Sequence, residues 1–299
     1  MSHSQTSSKS HSNDSSYSRL EGSFDSFDAN RIFYQIWKPQ KTRATVIITH
    51  GHGEHSECYH RVVQYYANKG YEFWAWDLRG HGRSEGLRGY AASFQDYVQD
   101  FKIFLDLALK KVDRTQPLFL LSHSMGGLIQ LAYLTDHDQS PYIAQVVSAP
   151  LLGLAVEVPT YKKMAAEMLE KYLPKLTLGN ELNNKMLTRD PEVMLEFDKD
   201  PYRHTKMSSG VYMGIVRQID KLMTQADQIK LPTLFQCPEK DPVCSTEATQ
   251  KFSQLMNPEL MKFLMYGNGA RHEMYNDVHR LEVYKDMENY LESFLKGQP

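Results

Sequence analysis

Three residues far apart along the chain could together carry nucleophilic catalysis. One is the serine at the centre of Ser122-His123-Ser124-Met125-Gly126, one the aspartate of Pro238-Glu239-Lys240-Asp241, one the histidine of Gly269-Ala270-Arg271-His272-Glu273. A serine hydroxyl is a poor nucleophile until a base takes its proton, and the base needs a third group to orient it. Ser124 follows the apolar run PLFLL and precedes the apolar stretch GGLIQLAYL, so the pattern is strand, abrupt turn, helix. A G-x-S-x-G elbow has that form, although here Ser122 stands where the first glycine is expected.

The order serine, acid, histidine is the order of the α/β-hydrolase triad, with each residue on a loop at the carboxyl end of a strand. Asp241 follows the strand-like LPTLFQCP, and His272 lies in a Gly-rich loop past LMKFLMYG. Glu239 competes with Asp241, and a turn role before Pro242 is the plain alternative for Asp241. His279 competes with His272 but falls within the closing helix pattern. Attack on an ester carbonyl builds an oxyanion that needs preorganised N–H donors. The expected donors are the backbone N–H groups of Met125, just after the nucleophile, and of His52 in the loop HGHGEHSE. That loop brings His50, His52, His55, Cys58 and His60 close in sequence. Without an H-E-x-x-H pattern or evident carboxylate ligands, no metal or other cofactor is expected from it. Arg79–Gly86, RGHGRSEG, lacks the phosphate-loop pattern and reads as a structural loop beside the site.

These residues need a scaffold that gathers strand ends. ATVIITHG, YEFWAWD, PLFLL, AQVVSAP, LPTLFQCP and LMKFLMYG read as strands. HSECYHRVVQYYANKG, SFQDYVQDFKIFLDLALKKV (with Ser93 as its cap) and DVHRLEVYKDMENYLESFLK read as helices. Alternation of this kind predicts a mostly parallel, doubly wound α/β sheet, which binds ligands at the carboxyl ends of its strands. The alternation stops over 151–229, a methionine-rich helical stretch expected to form an inserted lid that splits the core into 25–150 and 230–297. Within it, Met164 and Met168 are the candidate contacts for an acyl chain, since methionine packs adaptably. Residues 1–24 are Ser-rich with little to bury and are expected to be disordered. With 41% hydrophobic and 23% charged residues and a net charge of −2, nothing calls for a nucleic-acid partner. The N-terminus lacks the pattern of a signal peptide and no apolar run could span a bilayer, so a cytoplasmic or peripherally membrane-associated protein is expected. The three cysteines are too few for a disulfide framework. Oligomeric state is left open.

THGHGEHSECY, DLRGHGRSEG, HSMGG, SAPLL, LTRDPEVMLEFDKDPY and GARHE, in that order, resemble the monoacylglycerol lipase–lysophospholipase group of α/β-hydrolases over about residues 25 to 297. The resemblance implies a serine esterase with Ser124, Asp241 and His272 as triad and His52 and Met125 as oxyanion donors. It also implies single-chain acyl esters as substrates, beneath an apolar lid that makes transient membrane contact. Three features depart from the group: Ser122 for a glycine, His52 for a small residue, and CPEKD for a more Gly-containing turn. An amidase or peptidase on the same fold, and an inactive lipid-binding relative, are the rival readings. Lys162, Lys163, Lys171 and Arg203 are candidate partners for a phosphate head group, with solvated surface charge as the plain alternative.

Overall fold

The computed structural model describes residues 17–296 except 157 and 181. Its strands are β1 Tyr17–Asp25, β2 Arg31–Pro39, β3 Ala44–Thr49, β4 Tyr71–Trp76, β5 Leu118–His123, β6 Ala144–Ser148, β7 Thr177–Gly179, β8 Lys206–Ser208, β9 Thr233–Pro238 and β10 Met261–Tyr266. Its helices are α1 His60–Tyr65, α2 Phe94–Leu109, α3 Met125–Asp136, α4 Thr160–Tyr172, α5 Asn184–Leu187, α6 Pro191–Lys199, α7 Ser209–Met223, α8 Thr246–Gln254 and α9 Arg280–Leu295.

Eight strands form one sheet in the order β1-β2-β4-β3-β5-β6-β9-β10. From β4 to β10 every pairing is parallel, while β1–β2 and β2–β4 are antiparallel. The central strands β3 to β6 and β9 are buried along their whole length, which is why they read as unbroken apolar runs. Alternate side chains feed two cores. Ile47, Trp74, Leu120, Val147 and Phe235 pack with α2, α3 and α7 on one face. Val46, Phe73, Leu121, Val146 and Leu234 pack with α1 and α9 on the other. Ser93 caps α2 as expected, accepting from the Gln95 N–H at 3.0 Å, while Asp96 accepts from the Ser93 N–H at 3.1 Å.

Three expectations need correction. Residues 17–24 are not disordered: they form β1, whose alternating exposed and half-buried residues pair with β2 over nine positions. Residues 1–16 of the Ser-rich stretch lie outside the described residues. The second correction concerns 151–229, which is not all cover. Val211, Ile215 and Leu222 of α7 belong to the core beside α2 and α3, while α4 buries none of its residues. The third is α1, which is shorter than its sequence pattern, with a 3-10 turn at Ser56–Tyr59 before it and a turn to Gly70 after it. The strands β7 and β8, unforeseen, pair antiparallel inside the insertion. Among the described residues no helix is long and apolar enough to cross a membrane.

Candidate active site

Ser124 stands at the N-cap of α3 with φ 52° and ψ −120°, in the left-handed region that L-residues avoid. The strain is held by close packing. A Cβ on Gly126 would lie 2.3 Å from the Thr49 carbonyl oxygen, and one on Gly127 would lie 2.9 Å from Pro150 Cβ. Glycine at both positions therefore lets α3 pass close to β3 and to the segment after β6. Ser122 is fully buried in β5 between Thr49 and Val147, and its hydroxyl has no partner among the described residues. The elbow thus forms with serine in place of glycine.

The sheet brings the three expected residues together. His272 Nε2 is 3.0 Å from Ser124 Oγ, and His272 Nδ1 is 2.7 Å from Asp241 Oδ2. All three are buried. A carboxylate can only accept, so Nδ1 carries the hydrogen and Nε2 keeps a lone pair for the serine proton. The Val243 and Cys244 N–H groups donate to Asp241 Oδ1 at 2.8 and 3.2 Å, which fixes the carboxylate. Burial works against the charged form of Asp241. The His272 charge and the donated hydrogen bonds outweigh it, so its carboxyl sits below the usual range. Burial likewise works against imidazolium at His272, and the Asp241 charge and hydrogen bond outweigh it, raising that pKa. Glu239 donates its backbone N–H to the Tyr266 carbonyl, away from the triad, and His279 is the N-cap residue of α9, without a side-chain cap.

Met125 opens α3, and His52 lies in the loop after β3. Among the described residues neither backbone N–H donates to another group. The loop is shaped by buried polar groups. His50 Nδ1 donates to the Gly51 carbonyl at 2.7 Å, and His50 Nε2 accepts the Leu78 N–H at 2.9 Å. Glu54 accepts from the Gly51 N–H at 2.5 Å and from the Tyr59 hydroxyl at 3.1 Å. In the RGHGRSEG loop, Arg79 forks onto Asp100 at 2.7 and 2.8 Å and reaches Asp28 at 2.9 Å.

Sequence reasoning missed how the insertion grips this site. Met186 and Leu187 of α5 offer carbonyls to the N–H groups of His272 and Glu273, at 3.3 and 2.9 Å. Arg189 pairs with Asp277 at 3.0 Å, and Asp190 with Arg280 at 2.7 Å. Asp200 meets His55 at 2.8 Å, and the mostly covered Arg203 pairs with buried Glu273 while lying 3.7 Å over the Phe197 ring. Arg203 is therefore committed inside the protein and is not a phosphate contact. Cys244 was also missed; its sulfur lies 3.9 Å from Ser124 Oγ. Met164 and Met168 lie on α4, 61% and 65% exposed, and the structure does not bring them to the buried triad.

The chain is 29% identical over 282 residues to a monoacylglycerol lipase of Mycolicibacterium smegmatis, covering 94% of this chain and 99% of that one. It is 26% identical to a phospholipase of Bacillus subtilis, covering 87% of this chain and 99% of the other. It spans only 27% of the length of an uncharacterized abhydrolase domain-containing protein of Dictyostelium discoideum, at 29% identity over 85% of this chain. A solved monoglyceride lipase variant from Saccharomyces cerevisiae superimposes with a TM-score of 0.81 at 22% identity, covering 90% of this chain and 94% of that one, which shows the shared fold. The family described as serine aminopeptidase S33 matches residues 40–279, and the chain belongs to that family of serine hydrolases with the α/β-hydrolase fold.

Proposed function

We propose that the protein hydrolyses single-chain acyl esters, monoacylglycerols or lysophospholipids, through an acyl-enzyme on Ser124. The observation that carries this reading is the continuous relay from Asp241 through His272 to Ser124, at 2.7 and 3.0 Å. In acylation, His272 Nε2 takes the Ser124 proton as Oγ attacks the ester carbonyl. The oxyanion faces the N–H groups of Met125 and His52, and the N-terminus of α3 favours the negative charge. His272 then returns the proton to the departing alcohol oxygen, and the cycle repeats with water as nucleophile. Asp241 holds the imidazole in the tautomer this requires.

The named activities of the bacterial relatives support the lipid-ester class, as does the apolar exposure of the insertion. Tyr161, Met164, Met168, Tyr172, Leu173 and Leu178 are exposed on and after α4, a surface suited to contact with a membrane or an acyl tail. A second reading, aminopeptidase, is favoured by the family's description. Recognition of a substrate ammonium needs an uncommitted carboxylate near the nucleophile. Glu54 and Glu273, buried beside the site, are engaged by Tyr59 and Gly51 and by Arg203 and Asn276. Turnover measured over monoacylglycerols, lysophospholipids, short aryl esters and aminoacyl amides tests the choice. Preference for long single-chain esters is expected, and faster cleavage of the amides would replace this reading with the second.

A further inference from the structure

Three imidazoles that take no part in the proton relay meet beside the proposed oxyanion loop. His52 comes from the loop after β3, His81 from the loop after β4, and His204 from the insertion just before β8. Ring centroids are 5.1 Å apart for His52 and His81, 5.5 Å for His52 and His204, and 4.5 Å for His81 and His204. One possible ligand atom from each ring lies within 4.8 Å of the other two. The backbone holds the rings in place: the His204 N–H donates to the Gly53 carbonyl at 3.1 Å, and a Cβ on Gly53 would strike the His204 carbonyl at 2.3 Å.

Hydrogen bonding fixes two of the tautomers. His81 Nδ1 lies 3.0 Å from the Arg79 carbonyl, and His204 Nε2 lies 3.1 Å from the Gly80 carbonyl. A carbonyl only accepts, so these two nitrogens carry hydrogen and the opposite ones, His81 Nε2 and His204 Nδ1, present lone pairs. His204 Nδ1 and His52 Nε2 are buried without a hydrogen-bond partner among the described residues. Both rings lie near the Lys206 backbone without a hydrogen bond of good geometry to it, and an unpartnered buried polar atom is unfavourable by about 1–3 kcal/mol, so the His204 Nδ1 lone pair points to a missing partner. Burial first, then the neighbouring imidazoles, hold His52 down to about 3 and push His81 well below the ordinary value. His204 is lowered to about 4, chiefly by burial.

An imidazole that ligates a metal almost always donates its other N–H to a carbonyl or carboxylate, as His81 and His204 do here. Four tetrahedral ligands at about 2.0–2.1 Å from zinc stand about 3.3 Å from one another. His81 Nε2 and His52 Nδ1 are 3.4 Å apart, so without a cation the first accepts the hydrogen of the second, and ligation through His52 Nδ1 moves that hydrogen to Nε2, beside the Lys206 backbone. We propose that His52, His81 and His204 bind one borderline divalent d-block cation, zinc being the type, with a fourth position open to water or an anion. Imidazole suits zinc, copper and nickel, and disfavours magnesium and calcium. The cation would tie both loops to the insertion. The expectation of no metal came from the local string His50 to His60, whereas the fold assembles this set from three distant segments. The neighbouring group His55, Cys58 and Asp200 is a weaker candidate: His55 is taken by Asp200 at 2.8 Å, and Cys58 by Arg203 at 3.3 Å.

The test is titration of the metal-stripped full chain with zinc chloride, followed by calorimetry and thermal unfolding, with cobalt(II) as a visible-absorption probe. One zinc per chain is expected, with a melting temperature that climbs with zinc concentration and a tetrahedral cobalt spectrum. His204→Gln and His52→Ala, each checked for native circular dichroism, should lose at least the roughly 10–100-fold in affinity that outer partners alone carry. Cys58→Ser should bind as the native chain does. Failure of the native chain to bind stoichiometrically overturns the proposal. So does undiminished binding by either folded histidine variant, or loss of binding in Cys58→Ser. None of these readouts depends on ester hydrolysis, so the proposal and the esterase reading fail separately.

Discussion

Chain order alone points to Ser124, Asp241 and His272, because a strand–turn–helix pattern and two late strand ends leave few other places for a nucleophile, an acid and a base. The pH dependence of kcat/KM follows from the raised His272 pKa. The base must be neutral to work, so activity should fall as pH drops through that raised value, with the midpoint above the ordinary imidazole value of about 6.5. Asp241→Asn should move that midpoint downward and slow turnover by on the order of 10⁴-fold, while Glu239→Gln leaves both unchanged. A midpoint unmoved by Asp241→Asn would remove Asp241 from the relay. Ser122 shows what sequence could not settle. Its hydroxyl is buried and unpartnered, so Ser122→Ala should leave stability equal to the native chain or up to about 1–3 kcal/mol higher in urea unfolding. Ser122→Gly should keep turnover within about tenfold, equivalent to about 1.4 kcal/mol in barrier. A large loss of stability in Ser122→Ala would reveal an unrecognised partner for the hydroxyl.

The central strands were legible because burial on both faces leaves them continuously apolar, whereas β1 was hidden by its exposure. YSRLEGSFD carries polar residues on the open side of an edge strand and continues a Ser-rich stretch without a break in composition. The insertion was legible as an interruption but not as two unlike parts. Its helix α7 turns Val211, Ile215 and Leu222 into the core, while α4 leaves Met164 and Met168 open. That exposure changes what α4 is expected to do: its methionines face outward, where the proposed function would use them against a lipid surface or an incoming tail. Replacing both with serine should weaken binding to phosphatidylcholine vesicles and flatten the rise of kcat/KM with acyl length, at about 0.8 kcal/mol for each methylene no longer buried. Hydrolysis of a short aryl ester should be spared. Equal loss for short and long chains would mean that α4 acts only by holding the fold.

Over the whole molecule, the insertion and the sheet are joined by buried charge that no local pattern in the sequence discloses. Arg203 and Glu273 lie far apart along the chain, yet they pair in the interior, and Glu273 adjoins the proposed base His272. Burial opposes the charged form of Glu273, and the Arg203 charge outweighs it, so the carboxyl is held below its ordinary range. Arg203 also eases nearby Glu54, which burial and the Glu273 charge push up to about 7. Arg203→Met keeps much of the packing on Phe197 and removes the charge. Glu273 then stands buried and unpaired, a change that typically destabilises by about 3–5 kcal/mol. The sign of the pH effect separates charge from packing. Without Arg203 the folded-state pKa of Glu273 rises above its unfolded value, so the folded protein binds the extra proton and stability falls as pH climbs through that interval. The deficit of Arg203→Met against the native chain, measured by urea unfolding, should therefore be larger at pH 8 than at pH 5. The double variant with Glu273→Gln should recover part of the loss and abolish most of this pH dependence. A deficit equal at both pH values would show that Arg203 secures the insertion through its contacts with Phe197 and Cys58 and not through the charge of Glu273.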